Sequence, residues 1–158
     1  KLQYFDPELG ESYVPYVVET SIGLDRMFLT VLSNSFSEEK LENGESRVVL
    51  KIPAVLVPLK AAILPLTKKD GMPEKAREIM KMLRLDFNCQ YEEKDSIGKR
   101  YRRQDAIGTP FCITVDHQTL EDNTVTLRDR DTMKQERISV EKLHAIIADK
   151  INIAKYLS

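Results

Sequence analysis

Apolar positions along the chain change period several times, and each change marks an element. Leu2, Tyr4 and Phe5 predict a short strand, and Asp6-Pro7-Glu8-Leu9-Gly10 predicts a turn. Tyr13 to Val18 predicts the returning antiparallel strand, with Tyr16 to Val18 β-branched, aromatic and buried. From Leu24 the period becomes helical: Leu24, Met27, Phe28, Val31 and Leu32 fall on one face of a helix from about Ile22 to Phe36. Residues 37–46 are acidic and poor in apolar side chains, and predict a flexible domain boundary.

Beyond Arg47 the order becomes strand, helix, strand, helix, strand. The segment from Val48 to Leu59 predicts extended chain marked by prolines. Ala61 to Leu64 is apolar without alternation, which suits a strand covered on both faces. Gly71 and Pro73 announce a helix with a stripe of Ala76, Ile79, Met80 and Leu83, and Phe87 to Tyr91 returns as a strand. A third helix runs from Ser96 to about Ile107 and stops at Gly108 and Pro110. Phe111 to Val115 alternates as a strand, Thr124 to Arg128 and Gln135 to Ile138 form a hairpin pair, and Val140, Leu143, Ile147 and Ile151 line a closing helix. Strand–helix–strand crossovers imply parallel pairing and the hairpin adds antiparallel pairing. The expected fold is α/β, a mixed five-stranded sheet flanked by helices and preceded by a strand–helix segment. The division falls at 1–46 and 47–158.

Composition narrows the chemistry. The 158 residues are 42% hydrophobic and 31% charged with a net charge of -1, so any nucleic-acid contact must come from a local patch. Cys89 and Cys112 are far apart and share no ligand spacing with His117 or His144, which predicts reduced thiols, no metal site and a cytoplasmic setting. No leader or membrane-length apolar run is read, the stretch from Ile52 to Leu66 being broken by Pro53, Pro58, Lys60 and Pro65. His117, His144 and the methionines Met80, Met82 and Met133 read as incidental or packing residues.

Two segments carry candidate chemistry. In the first, Glu19, Thr20, Ser21, Ile22 and Gly23 lead into Leu24, Asp25 and Arg26. Thr20 or Ser21 can cap the helix, Gly23 lets a ligand approach the backbone, and Arg26 projects from a first turn that already favours anions. A carboxylate at a strand end suits an ammonium, and an arginine at a helix start suits a phosphate. Ordinary capping with a solvated Asp25-Arg26 pair accounts for the same residues. In the second, Lys99, Arg100 and Arg103 share a helical face with Arg102 beside them, a cluster able to neutralise phosphates. Tyr101 goes with Ile97 on the apolar side. Thr126, Arg128 and Arg130 point to one face of their strand, where a guanidinium can pair with a base edge; Asp129 and Asp131 can instead tie up those arginines. Asp116 and Gln135 are weaker candidates for base contacts.

The spacing Glu-x-Ser-x-Gly-x-x-Arg between an apolar strand and an amphipathic helix resembles motif 3 of the class II aminoacyl-tRNA synthetases. Glu-Thr-Ser-Ile-Gly preceded by Tyr13-Val14-Pro15-Tyr16 resembles the glycyl-tRNA synthetase branch, although Thr20 stands where proline is common. Ala61 to Leu66, Gly98 to Pro110 and Thr126 to Asp131 resemble the anticodon-binding domain shared by the glycyl, prolyl, threonyl and histidyl enzymes.

The resemblance implies a C-terminal fragment: residues 1–46 as the end of the class II catalytic domain and 47–158 as the anticodon-binding domain. The parent would be a homodimeric glycine–tRNA ligase that uses ATP with Mg2+ to activate glycine and charge tRNA(Gly), without DNA or membrane as partner. The fragment would be inactive alone and carry no bound cofactor. Arg26 would be catalytic and, with Gly23, Leu24 and Asp25, would meet ATP. Glu19, Thr20, Ser21, Ile22 and Gly23 would receive glycine. Lys99, Arg100, Arg102, Arg103, Arg128 and Arg130 would contact tRNA. A non-catalytic RNA-binding module that reuses this fold is the alternative, and it predicts a degenerate front motif.

Overall fold

The first two strands form a hairpin closed by an aspartate. A computed structural model describes residues 2–41 and 44–157. In it β1 (Tyr4–Asp6) and β2 (Glu11–Tyr13) pair antiparallel, with Tyr4 opposite Tyr13 and their rings edge to face at 5.8 Å. The Asp6 carboxylate accepts from the amides of Glu8 and Leu9, an Asx-type turn that explains why this proline-containing stretch reverses the chain. β2 stops well short of the expected Val18. Pro15 has no amide to give a ladder, and no described strand pairs with Tyr16 to Val18, which lie exposed where a buried strand is expected. The helix α1 (Leu24–Ser35) follows, with Leu24, Met27 and Phe28 exposed. Its first carbonyl acceptor is Gly23, which takes the Met27 amide at 3.0 Å, so the cap position falls there and not at Thr20 or Ser21.

Contacts divide the chain into one unit up to Thr30 and another from Val31 onward. In the second unit β3 (Phe36–Lys40) and β4 (Ser46–Leu50) form an antiparallel hairpin, with Glu39 opposite Arg47. The acidic stretch read as a flexible boundary is therefore largely paired strand; Glu42 and Asn43 lie outside the described residues. Alternation in β4 buries Arg47 and Val49 on one side, and a buried arginine is what an apolar-only reading cannot anticipate.

The five-stranded sheet is built from β5 (Ala61–Pro65), α2 (Met72–Leu83), β6 (Cys89–Tyr91), α3 (Ile97–Ile107), β7 (Phe111–Val115), α4 (His117–Asp122), β8 (Thr124–Asp129) and β9 (Gln135–Ser139). Strand order is β6-β5-β7-β8-β9, with β5 parallel to β6 and β7 and the β7–β8 and β8–β9 pairs antiparallel. A 3-10 turn (Val140–Lys142) leads to α5 (Leu143–Lys150), and α6 (Ala154–Leu157) closes the described chain. The short α4 was not expected. Six residues are too few to show a helical period, and the local signal is the reciprocal cap between Asp116 and Thr119.

Each face of the sheet has its own core. Ala61, Ile63, Ile113, Val125 and Leu127 pack with Ala76, Ile79 and Leu83 of α2 and with Leu143 and Ile147 of α5. Ala62, Leu64 and Cys112 point the other way, against Ile97 and Tyr101 of α3. Both faces of β5 and β7 are thus covered, as the unbroken apolar run of β5 requires. Each fully buried Ile or Leu there contributes about 1.5–3 kcal/mol relative to exposure. Gly108 ends α3 at φ 85°, and a Cβ there would lie 3.0 Å from the Leu50 carbonyl oxygen, so the helix end and β4 meet only because this residue is glycine.

Candidate nucleic-acid interface

The sheet domain handles its arginines in two ways. Arg128, on the face of β8 that looks toward α3, is 5% exposed. Its two terminal nitrogens donate to the two carboxylate oxygens of Asp105 at 2.7 and 3.0 Å, and its guanidinium lies 4.7 Å from the centre of the Tyr101 ring. Arg47 donates to the same Asp105 at 3.1 Å, to the Arg130 carbonyl at 3.0 Å and to Glu39. Arg130, 2% exposed, donates to the carbonyls of Gly108 and Ile52 and is paired with Asp131. Three arginines and the carboxylates of Asp105, Glu39 and Asp131 form one network that joins β4, α3, β8 and the residues after β8. Opposite charges out of water are tolerated only when paired in this way.

Arg100 is also buried, at 3% exposure, and its terminal nitrogens cap the end of β5 through the carbonyls of Pro65 and Leu66, with Glu92 O also in reach. Its Nε has no partner among the described residues, and burial lowers its pKa. The expected common face of Lys99, Arg100 and Arg103 is thereby corrected: Arg100 turns under the helix, while Lys99, Arg102 and Arg103 stay outside. Arg103 is held by Glu92 and Asp95, and Arg102 by Glu45 and the Ser46 carbonyl. Tyr101 sits on the apolar side as expected, its hydroxyl 2.6 Å from that of Thr114; burial raises its pKa, with the Thr114 hydrogen bond opposing.

At the C-terminal end of β7, Asp116 caps α4 and takes two bonds from Arg137 at 2.5 and 2.9 Å. That hydrogen bonding holds its carboxyl below the ordinary aspartate value. Gln135, the other weak candidate for base contact, is exposed on β9. Arg47, Asp105 and Arg137 were not expected as members of the site. Their partners lie 58 and 21 residues away along the chain, beyond the reach of any local pattern.

In the first unit, Glu19, Thr20, Ser21 and Ile22 form an exposed, irregular approach to α1. Gly23, Leu24, Asp25 and Arg26 occupy the turn and the helix start, where the Arg26 carbonyl accepts from Thr30. A Cβ on Gly23 would meet only the Arg26 Cβ, at 3.9 Å, so the approach to this backbone is open. Two clefts of about 230 and 360 Å³ lie elsewhere, one among Phe111, Leu127, Lys134 and Lys150, the other beside Lys60, Arg84 and Asn88. No three His, Cys, Asp or Glu side chains converge to hold a metal among the described residues. No described helix is long and apolar enough to cross a membrane.

The chain is similar to curated glycine–tRNA ligases. It is 53% identical over 150 residues to that of Clostridium tetani and 52% identical over 150 residues to that of Chlorobaculum tepidum, in each case over 95% of this chain and 32% of the relative. Against that of Borrelia hermsii it is 48% identical over 94% of this chain and 34% of the relative. It therefore spans about a third of the length of these relatives. The RNA-binding domain of threonyl-tRNA synthetase from Cryptosporidium parvum Iowa II has the same fold, with a TM-score of 0.58 at 24% identity over 63% of this chain and 25% of that one. Residues 60–150 match the family described as anticodon binding domain, and the chain belongs to that family.

Proposed function

We infer that the chain is the C-terminal third of a glycine–tRNA ligase, an enzyme that activates glycine with ATP and esterifies it to tRNA(Gly). The observation that carries this reading is an overall identity near 50% in matches that cover 95% of the chain, more than the sheet domain alone. A module that kept only the RNA-binding fold would have no use for Glu19, Ser21, Gly23 and Arg26 at motif spacing, and this chain carries all four. In this reading residues 1–46 are the end of the catalytic domain and 47–158 bind the anticodon.

Glu19 fixes the glycine ammonium, with Thr20, Ser21, Ile22 and Gly23 shaping the pocket. Arg26 holds the ATP phosphates while the glycine carboxylate attacks the α-phosphorus and pyrophosphate leaves. A planar guanidinium in the first turn of a helix suits that spreading charge. Larger amino acids are excluded by shape, since an added methylene changes binding by only ~1–3 kcal/mol. Magnesium would come with the nucleotide and would neutralise part of its phosphate charge. The outward cations Lys99, Arg102 and Arg103 meet tRNA phosphates, whereas Arg100, Arg128 and Arg130 shape the domain that presents them. The parent is cytoplasmic and homodimeric.

Glycine-dependent ATP–pyrophosphate exchange and charging of tRNA(Gly) by the full-length protein test this reading. Exchange driven by another amino acid, with none by glycine, would overturn it. The chain by itself forms no glycyl-adenylate, and adenylate formation by it would refute the fragment reading.

A further inference from the structure

Lys60, the residue before β5, is a half-buried lysine without a carboxylate beside it. Its backbone amide donates to the Asn88 carbonyl at 2.8 Å, and its Nζ donates to the carbonyls of Ala54 and Val55, both at 2.9 Å. Lys51, Lys75 and Lys155 are paired with glutamate or aspartate, whereas Lys60 has no ion pair among the described residues. The two carbonyls fill two of the three positions around its nitrogen. The third has no partner among the described residues. Both carbonyls keep their hydrogen bonds in the neutral amine, so loss of the third proton breaks no contact and leaves a lone pair in that open position.

The surroundings bring the neutral amine within reach. Lys60 lines the cleft of about 360 Å³ together with Arg84, Asp86 and Asn88. Asp86 is engaged by His144 of α5 at 2.9 Å, and Arg84 forms no ion pair among the described residues. Burial lowers the Lys60 pKa from the ordinary lysine value of 10.5. A lysine becomes a nucleophile when it is desolvated or set beside another cation, and this cleft supplies both conditions.

We propose that Lys60 is an acylation site for acyl phosphates, with Arg84 holding the phosphate of the donor. The neutral amine attacks the acyl carbon. A C–N bond forms as the C–O bond to phosphate breaks, and the surplus amine proton leaves with the phosphate. The product amide carries a single N–H and no charge, so the carbonyl of Ala54 or of Val55 loses its donor. The inference uses no residue of the front motif or of α3 and stands apart from the tRNA-ligase reading.

The test adds acetyl phosphate to the folded chain and to the chain in guanidinium chloride, and follows acetylation site by site by mass spectrometry. The exposed Lys68, Lys69 and Lys81 of the same chain serve as internal standards. In the folded chain Lys60 should react about threefold faster than each standard, and the advantage should vanish on unfolding. Arg84→Ala, its fold confirmed by circular dichroism, should slow Lys60 about threefold with acetyl phosphate, the range that one exposed charge contact commands. The same variant should leave the rate with the uncharged donor N-hydroxysuccinimidyl acetate unchanged. A Lys60 rate at or below the standards, a preference that survives unfolding, or an equal effect of Arg84→Ala on both donors would each overturn the proposal.

Discussion

Arg128 and Asp105 face each other from β8 and α3 as a two-point pair, with nitrogen–oxygen distances of 2.7 and 3.0 Å and no exposure at the carboxylate. The strand arginine expected from its position to read a base edge is committed to the interior. Its partner is shared with Arg47, so one carboxylate holds two cations, one from β4 and one from β8.

Removal of that carboxylate leaves two buried guanidinium groups short of a counter-charge. Asp105→Ala should lower unfolding free energy by about 3–5 kcal/mol, the usual cost of breaking a buried pair from one side. Urea denaturation measures it. A loss under 1 kcal/mol would mean that Arg47 and Arg128 find other partners.

A related expectation concerns RNA. Because Arg128 is buried, Arg128→Ala should weaken a glycine-tRNA anticodon stem-loop and one with altered second and third anticodon bases by equal factors, in step with its loss of stability. Fluorescence anisotropy on the two RNAs decides this; a loss confined to the glycine stem-loop would return Arg128 to the role of a base reader.

The outward cations should behave differently. Lys99→Glu/Arg103→Glu should weaken every stem-loop alike, roughly tenfold or more at low salt, and flatten the salt dependence, as phosphate contacts do. Lys99 is exposed, whereas Arg103 is held by Glu92 and Asp95, so the double variant also loses some stability and binding is compared at a temperature well below its melting point. An unchanged salt slope would leave α3 a solvated face.

These cases show what the chain made legible. The five strands and the helices α2, α3 and α5 follow from period and punctuation, while α4 does not: Gly71-Met72-Pro73 opens α2, Ser96 and Gly108 bracket α3, and the unbroken apolar Ala61 to Leu64 lies inside the sheet. Such signals are local. What charged residues do when they are buried is not local. Arg100 lies between exposed Lys99 and half-exposed Tyr101 in sequence, and only the end of β5 above it explains why it turns inward. The same holds for Tyr16 to Val18, whose strand-like composition finds no paired neighbour among the described residues. The front motif is a matter of spacing alone, since its residues lie exposed just before and at the start of α1.

The thiols offer a clean chemical check. Burial pushes Cys89 up to about 11 and Cys112 up to about 12, so neither is a thiolate near neutrality. At pH 8 a thiol reagent such as DTNB should label neither in the folded chain within the time that labels both in 6 M guanidinium chloride. Rapid labelling of Cys112 in the native chain would mean that the β5–β7 core opens readily, whereas labelling of Cys89 alone would report only on the edge strand β6.

The Asp116–Arg137 pair gives the stability a pH dependence of definite sign. The hydrogen bond from Arg137 is the largest influence on Asp116 and favours its ionised form, holding the folded pKa below the ordinary value of 3.8. A depressed carboxylate contributes stability that is complete above its unfolded pKa and is lost as pH falls through the folded one. Asp116→Asn keeps an oxygen to cap α4 but cannot be an anion for Arg137. The variant should therefore be less stable than the parent at pH 6, and the gap should close as pH drops from about 4 toward 2. Urea melts of both proteins at pH 6, 4 and 3 measure that gap. A gap that stays constant across the series would mean that Asp116 acts only as the cap of α4 and that its charge contributes nothing.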